Sequence, residues 1–109
     1  MEFNKYQEKA KETAEYPVLK HKWVYPSMGL AGESGEVVEK LKKIARNKNG
    51  MIEKEDREKL IMELGDVLWY LSILASDLGI SLNEVAEKNI IKLKSRRERG
   101  VIKSHGDNR

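Results

Sequence analysis

Two short acidic motifs, thirty residues apart, are the part of this sequence that could do chemistry. Residues 30–38 (LAGESGEVV) and 60–68 (LIMELGDVL) share the pattern Leu-x-x-Glu-x-Gly-acid-Val-aliphatic. A spacing of three residues places both acids of a motif on one side of a helix. If the two helices pack face to face, we expect four carboxylates to surround one point. They are Glu33, Glu36, Glu63 and Asp66.

These carboxylates predict a metal site, because converging without a cation they would repel each other and lose hydration. Oxygen-only ligands favour Mg²⁺ first and Mn²⁺ second. A di-iron centre would need Glu-x-x-His pairs, and the two histidines, His21 and His105, stand outside both motifs. The alternative is ordinary charged residues bordering an apolar stripe. Gly35 and Gly65 favour the metal, since each costs its helix roughly 1 kcal/mol against alanine and needs a reason, such as close helix approach or room for a ligand.

Four helices are predicted to position the motifs, because apolar residues recur at three- and four-residue steps and strand patterns are absent. Both prolines and two aromatic residues fall in one segment, which we expect to be an ordered loop. Ser81 and Glu84 predict a capping box at the start of the last helix. The fold class is therefore all-α. The expected helices span about 2–15, 29–46, 55–78 and 82–99, with the loop at 17–28.

The third predicted helix is apolar around most of its circumference, and a helix of this kind must be buried on several sides. Three other helices from one short chain can scarcely cover it. We therefore expect a four-helix bundle completed by homo-oligomerisation, as a dimer or a tetramer, with this helix in the interface.

Composition bounds the remaining possibilities. The chain has 109 residues, 21 Lys and Arg against 18 Asp and Glu, and a net charge of +3. The absence of cysteine excludes disulfides, zinc thiolates, iron–sulfur clusters and a cysteine nucleophile. No apolar run approaches the ~20 residues of a membrane span, so a cytoplasmic protein with no membrane partner is expected. Residues 1–100 are predicted to form one domain and residues 101–109 a flexible basic tail.

The fourth helix carries a second group of candidate residues. Asn89 lies within its apolar stripe, and a buried amide must be hydrogen-bonded or it destabilises the fold by ~1–3 kcal/mol. Lys92 and Arg96 follow it on one side of the helix and suit a polyanionic substrate. The alternatives are a structural amide for Asn89 and ordinary surface charges for the two cations. In the second helix, a solvated face is expected at Glu39, Lys40, Lys42 and Lys43.

At these motifs the sequence resembles the MazG-type nucleotide pyrophosphohydrolases, an all-α family with the signature Glu-x-x-Glu, spacer, Glu-x-x-Asp. The resemblance extends over about residues 3–100 and includes Tyr16-Pro17, the run Gly65 to Tyr70, and the Asn89, Lys92 and Arg96 set. One departure is Gly32, which stands where the stricter family motif has a further acid.

The resemblance implies hydrolysis of a nucleoside triphosphate between its α and β phosphates, in a role that clears non-canonical or surplus nucleotides. It implies that the four carboxylates hold Mg²⁺, that one of them acts as general base, and that Asn89, Lys92 and Arg96 hold the phosphates. Trp23, Tyr25 and Tyr70 are candidates for stacking on the base, with plain packing as the alternative for the loop aromatics.

Two other functions stay open. The first is a Mg²⁺-dependent phosphohydrolase acting on another phosphorylated metabolite, similar to phosphoribosyl-ATP pyrophosphatase. The second is a non-catalytic helical interaction module that binds nucleic acid through its basic C-terminal segment. The acidic motifs argue against the second, because without a metal they would repel phosphate, and a nucleic-acid partner is not expected.

Overall fold

The computed structural model describes residues 1–101, which form four α-helices and no β-strand. The helices are α1 (Phe3–Lys11), α2 (Val24–Asn47), α3 (Lys54–Asp77) and α4 (Leu82–Glu98). The predicted all-α class and the number of helices are confirmed. All but the first residue of the predicted basic tail lies outside the described residues.

The predicted loop over residues 17–28 is wrong in its second half. Helix α2 begins at Val24, five residues before the expected start, and Pro26 is buried within its first turn. Proline is tolerated there because the first N–H groups of a helix have no partner within the helix. Helix α1 is shorter than expected and ends at Lys11, after which the chain turns through a hydrogen bond of 3.2 Å from Thr13 N to Ala10 O.

Helices α2 and α3 form an antiparallel hairpin that holds both acidic motifs. The turn between them closes where the Lys48 and Gly50 amides both donate to the Ile44 carbonyl, at 2.9 and 3.2 Å. Gly50 has a φ of 79°, in the left-handed region that glycine adopts without strain. A capping box of Glu53 and Asp56 then starts α3. Two helices joined by so short a turn must run antiparallel, so the two motifs face each other.

Helix α1 packs across the C-terminal half of α3. The Gln7 amide nitrogen donates to Ser76 Oγ at 3.0 Å, and the Trp69 indole donates to Thr13 Oγ1 at 2.9 Å. Ile73 of α3 is 1% exposed and Ala10 of α1 is also buried. Part of the small core of the single chain therefore lies between α1 and the second half of α3, and further buried residues belong to α2 and α4.

Helix α4 takes its N-terminal cap partly from α1. The Leu82 amide donates to Gln7 Oε1 at 2.8 Å, and the Asn83 amide donates to Asn4 Oδ1 at 3.2 Å. Both acceptors are some 75 residues away along the chain. Without them the first N–H groups of the helix would lack protein partners.

The predicted capping box at α4 is formed on one side. Ser81 Oγ accepts a hydrogen bond from the Glu84 amide at 3.3 Å. The Glu84 carboxylate instead lies 3.1 Å from Lys88 Nζ. The serine therefore caps the helix while the glutamate forms an exposed i,i+4 ion pair.

Several large apolar side chains stay uncovered in the single chain. Ile90 and Ile91 of α4 are 64% and 67% exposed. On α2 and α3 the exposed set comprises Met28, Val38, Leu41, Ile61, Met62 and Leu64. Over residues 1–101 no single helix is long and apolar enough to span a membrane; α3 and α4 reach that length and composition only as a pair, bent by 103°.

Candidate metal centre

Three carboxylates from the two acidic motifs converge on one point between α2 and α3. Glu33, Glu63 and Asp66 each offer an oxygen, and these oxygens all lie within 4.8 Å of one another. Glu33 and Glu63 are half-buried and Asp66 is exposed. Three hard anionic oxygens at this spacing suit a divalent cation that prefers oxygen ligands. The donor set therefore fits the predicted metal.

The electrostatics of Glu33 reflect this crowding. Burial raises the pKa of Glu33 above its usual value of 4.5, and the charges of Asp66, Glu63 and Glu36 raise it further. All of these effects disfavour the ionised carboxylate. A cation bound among the four groups would reverse the electrostatic part of this cost.

Glu36 stands apart from the other three acids. Its side chain is exposed and it is not one of the three that converge. Its charge nevertheless raises the pKa of Glu33, so it lies near the centre. The structure thus brings three of the four predicted carboxylates together and leaves the fourth at the rim.

Lys40 is a residue of this centre that the sequence interpretation placed on a solvated face. Its ammonium lies 3.6 Å from Glu63 Oε1, with the side chains 35% and 20% exposed. The signal was present in the spacing, because Lys40 follows Glu33 by seven residues, which is two helical turns on the same face. A cation at this position partly offsets the crowded negative charge.

The motif glycines are open on the side where a side chain would project. A Cβ built on Gly35 or Gly65 would meet nothing within 4 Å, and the same holds for Gly32. Within the described chain, close helix approach therefore does not explain them, and room for a ligand stays a prediction. At Gly29 the two helices do approach closely, because a Cβ at this position would overlap the ring of Tyr70.

Tyr25 and Tyr70 lie together at one end of the centre. Burial raises the pKa of Tyr70, as do the nearby Tyr25, Glu33 and Asp66. Tyr25 also stacks on Tyr16, with ring centroids 5.5 Å apart and planes 3° apart. Two of the three candidate base-stacking residues are therefore adjacent to the carboxylates.

The two tryptophans have other surroundings. Trp23, the third stacking candidate, precedes α2 and stacks on His21 with centroids 5.1 Å apart. Trp69 donates a hydrogen bond from its indole to Thr13, in the turn that follows α1. Tyr6 of α1 is closer to the chemistry, since burial raises its pKa and the charge of Asp66 raises it further.

The phosphate-binding set predicted on α4 is not assembled with the carboxylates. Helix α4 contacts α1 and α3, and within the described residues it makes no contact with α2. The prediction that Asn89 is buried is wrong, because its side chain is exposed along with that of Lys92. Arg96 is 3% exposed, which excludes an ordinary surface charge at that position. Their role toward phosphate stays a prediction.

Fold and site together define an all-α protein with a carboxylate centre suited to a hard divalent cation. The family model of the MazG nucleotide pyrophosphohydrolase domain matches residues 27–101. The chain is also similar to the "Gene 37 protein" of Mycobacterium phage L5, with 52% identity over 85 residues that cover 78% of this chain and 75% of the phage protein. No solved structure gives a significant match.

The chain therefore belongs to the MazG family of nucleotide pyrophosphohydrolases, which confirms the resemblance seen in the acidic motifs. The matched residues include most of α2, all of α3 and α4, and every candidate metal ligand. The family is metal-dependent, in agreement with the donor set between α2 and α3.

Proposed function

We propose that this protein hydrolyses nucleoside triphosphates between the α and β phosphates in a Mg²⁺-dependent reaction, releasing a nucleoside monophosphate and pyrophosphate. The observation that carries the proposal is the convergence of Glu33, Glu63 and Asp66 within 4.8 Å. We propose clearance of non-canonical or surplus nucleotides as its role.

In this mechanism the acidic motifs hold the cation and one carboxylate accepts the proton of the attacking water. Glu33, Glu63 and Asp66 would hold the cation. Glu36, at the rim, would contact water bound to that cation or hold a further ion. Held by these carboxylates, Mg²⁺ would make a bound water more acidic and would neutralise charge on the leaving pyrophosphate. Mn²⁺ would fit the same oxygen donors.

The aromatic end of the centre is the proposed place of the nucleoside. Tyr25 and Tyr70 are neighbours, and Tyr70 lies next to Glu33. A base that packs on this pair would leave its triphosphate directed along α2 and α3, over the carboxylates. The exposed Trp23 is a second candidate for the base.

A second copy of the chain is the proposed partner. Apolar side chains on α2, α3 and α4 are left uncovered, among them Val38, Leu64 and Ile90, which are 64%, 54% and 64% exposed. Because α4 does not contact α2, the α4 of a second copy is a means to bring Asn89, Lys92 and Arg96 toward the substrate phosphates. Sedimentation at micromolar concentration should show a dimer or tetramer, and a monomer would contradict this.

The test of the reaction is product analysis of a panel of canonical and non-canonical nucleoside triphosphates, with Mg²⁺ and with chelator. We expect monophosphate and pyrophosphate in equal amounts, and only with the metal. Glu63→Gln should lose activity, and Glu58→Gln, an exposed glutamate on the same helix, is the matched control. Release of single phosphates would contradict α–β cleavage. Absence of both turnover and metal binding would favour the interaction module.

A further inference from the structure

A basic cleft adjoins the carboxylate centre at the end of the α2–α3 hairpin, close to the turn. Four of its lining residues are lysines, two are apolar, and one is a carboxylate. The lining comprises Lys40, Lys43, Ile44, Asn47, Lys48, Asp56, Lys59 and Leu60. The hairpin therefore changes from a negative to a positive surface along its length.

The single carboxylate of the cleft is already engaged. Asp56 Oδ2 accepts from the Glu53 amide at 3.1 Å as part of the cap of α3, and it lies 2.8 Å from Lys48 Nζ. Lys48 also lies 3.1 Å from Glu53. This local network accounts for Lys48, and Lys40 is paired with Glu63, so the excess positive charge of the cleft comes from Lys43 and Lys59.

Lys43 and Lys59 are the side chains best placed to receive an anion. The contact between Lys43 and Glu39 is long, at 3.8 Å, and exposed, with 59% and 45% of the side chains accessible. Exposed pairs of this kind stabilise a protein little, because water and salt screen both charges. Lys59 lies close enough to Asp56 to lower the pKa of that carboxyl, after the larger effects of Lys48 and the Glu53 amide. A multiply charged anion would therefore meet two cations from different helices.

The cleft and the carboxylate centre are continuous. Lys40 lines the cleft and also lies 3.6 Å from Glu63. Along α2, Lys40 stands seven residues beyond Glu33, or about 10 Å at 1.5 Å per residue. Tyr70 lies on the other side, one turn beyond Asp66. The surface of the hairpin thus has an aromatic end at Tyr70, the carboxylate centre in the middle and the basic cleft at the other end.

The size of the cleft limits its ligand. Its volume is about 170 Å³, whereas pockets for drug-sized ligands occupy roughly 300–1,000 Å³ and a cavity of roughly 150 Å³ holds a molecule the size of benzene. A whole nucleotide is too large, and a small polyanion is not.

We propose that this cleft is the subsite for inorganic pyrophosphate, which occupies it as the leaving group of the reaction. The inference rests on the proposed function and adds a direction to it: the nucleoside lies at Tyr25 and Tyr70, and the leaving group departs toward Lys43 and Lys59. The subsite belongs to the α2–α3 hairpin and is separate from the cations of α4.

The test compares two double variants of the full chain. Lys43→Gln/Lys59→Gln removes two cleft charges, and Lys42→Gln/Lys54→Gln removes two charges from the same helices outside the cleft lining. The control is closely matched, because the Lys42 and Lys43 side chains are 57% and 59% exposed. Binding of magnesium pyrophosphate is measured by calorimetry without nucleotide, and inhibition of nucleotide hydrolysis by pyrophosphate and by monophosphate is measured separately.

We expect the cleft variant to bind pyrophosphate roughly tenfold more weakly, as the loss of charge-assisted contacts implies, with monophosphate inhibition unchanged. The control should differ from wild type less than about twofold, since charges outside the cleft act only through screened long-range attraction. Equal weakening in both variants, or none in either, would overturn the subsite. Absence of turnover in the wild type would count against the proposed function instead, and a difference in calorimetric binding would still support an anion site in the cleft.

Discussion

The two acidic motifs are nearly the same in sequence, yet their surroundings differ. In α2, Glu33 is crowded by the other carboxylates and Glu36 is exposed at the rim. In α3, both Glu63 and Asp66 belong to the converging set, and Glu63 has a cation partner in Lys40. A repeated pattern therefore gives a repeated register along the two helices without giving four equivalent ligands.

The groups that surround each carboxylate therefore determine how it can act as a metal ligand. The partner of Glu63 comes from α2, while the charge of Asp66 acts on Tyr6, which comes from α1. Neither Lys40 nor Tyr6 belongs to the motif of the acid beside it. The inequivalence of the four carboxylates thus arises from packing.

The largest losses of activity are expected for substitutions of the three converging carboxylates, and a smaller loss is expected for Glu36. Glu33→Gln, Glu63→Gln and Asp66→Asn should each lower kcat/KM by more than about 100-fold, because each removes a converging ligand. Even the loss of a residue that only hydrogen-bonds to a metal ligand lowers metal affinity or activity roughly 10–100-fold. Glu36→Gln should cost roughly tenfold or less. Steady-state kinetics and a Mg²⁺ titration check this, with circular dichroism as the control for folding. Equal losses at all four positions would show that Glu36 is a full ligand.

The glycines in and next to the motifs differ in the space around them, so we expect their substitution to have opposite effects on stability. Gly29→Ala should destabilise the chain by about 1–3 kcal/mol, because the new methyl group overlaps the Tyr70 ring and forces it to move. Gly35→Ala and Gly65→Ala should stabilise α2 and α3 by up to about 1 kcal/mol, since both positions are open. Urea unfolding of the three variants measures this. A destabilised Gly65→Ala would reveal a neighbour, such as a second chain, at that position.

The crowding of Glu33 predicts a pH dependence. Its folded pKa lies above the usual 4.5, so the folded chain holds this proton more tightly than the unfolded chain. The contribution of Glu33 to stability therefore falls as the pH rises from below 4.5 through the raised pKa. In chelator at neutral pH, Glu33→Gln should melt above wild type, and near pH 4 the two should converge.

Adding a divalent cation should make wild type melt above Glu33→Gln, because the cation stabilises only the chain that binds it. Glu58→Gln, outside the centre, should follow wild type in both conditions. A Glu33→Gln variant that melts below wild type in chelator at neutral pH would show that the carboxylate is not crowded.

The smallest expected effect concerns the cation that distinguishes the second motif. Lys40→Gln should lower the free energy of unfolding by less than about 1 kcal/mol in chelator, because the ion pair with Glu63 is partly exposed. Lys42→Gln is the matched control on the same helix. A loss above about 2 kcal/mol in chemical denaturation would mean that Lys40 holds α2 and α3 together.

The sequence was sufficient for the centre itself, because helical periodicity and a short turn fix which residues of α2 and α3 face each other. Glu33, Glu63 and Asp66 follow from that geometry. Periodicity does not say whether a face is covered, and Asn89 shows the consequence. It shares a stripe with apolar residues, but Ile90 beside it is 64% exposed, so this part of the stripe is uncovered in the single chain.

Contacts between distant segments account for the other misses. Tyr16, expected to end the first helix, stacks on Tyr25 and donates a hydrogen bond to Asp77, and the burial and hydrogen bond raise its pKa to about 12. The early start of α2 rests on the tolerance of its first turn for Pro26. These features depend on where separate elements meet, which local spacing does not encode.

The capping of α4 by Asn4 and Gln7 has a consequence for the order of folding. The α2–α3 hairpin closes through a short turn, whereas the cap of α4 joins residues at opposite ends of the described chain. Loop closure costs more entropy as the loop lengthens, and distant contacts form late for that reason. We expect the carboxylate centre to assemble first in the folding reaction, with the two terminal helices closing over the finished hairpin afterwards.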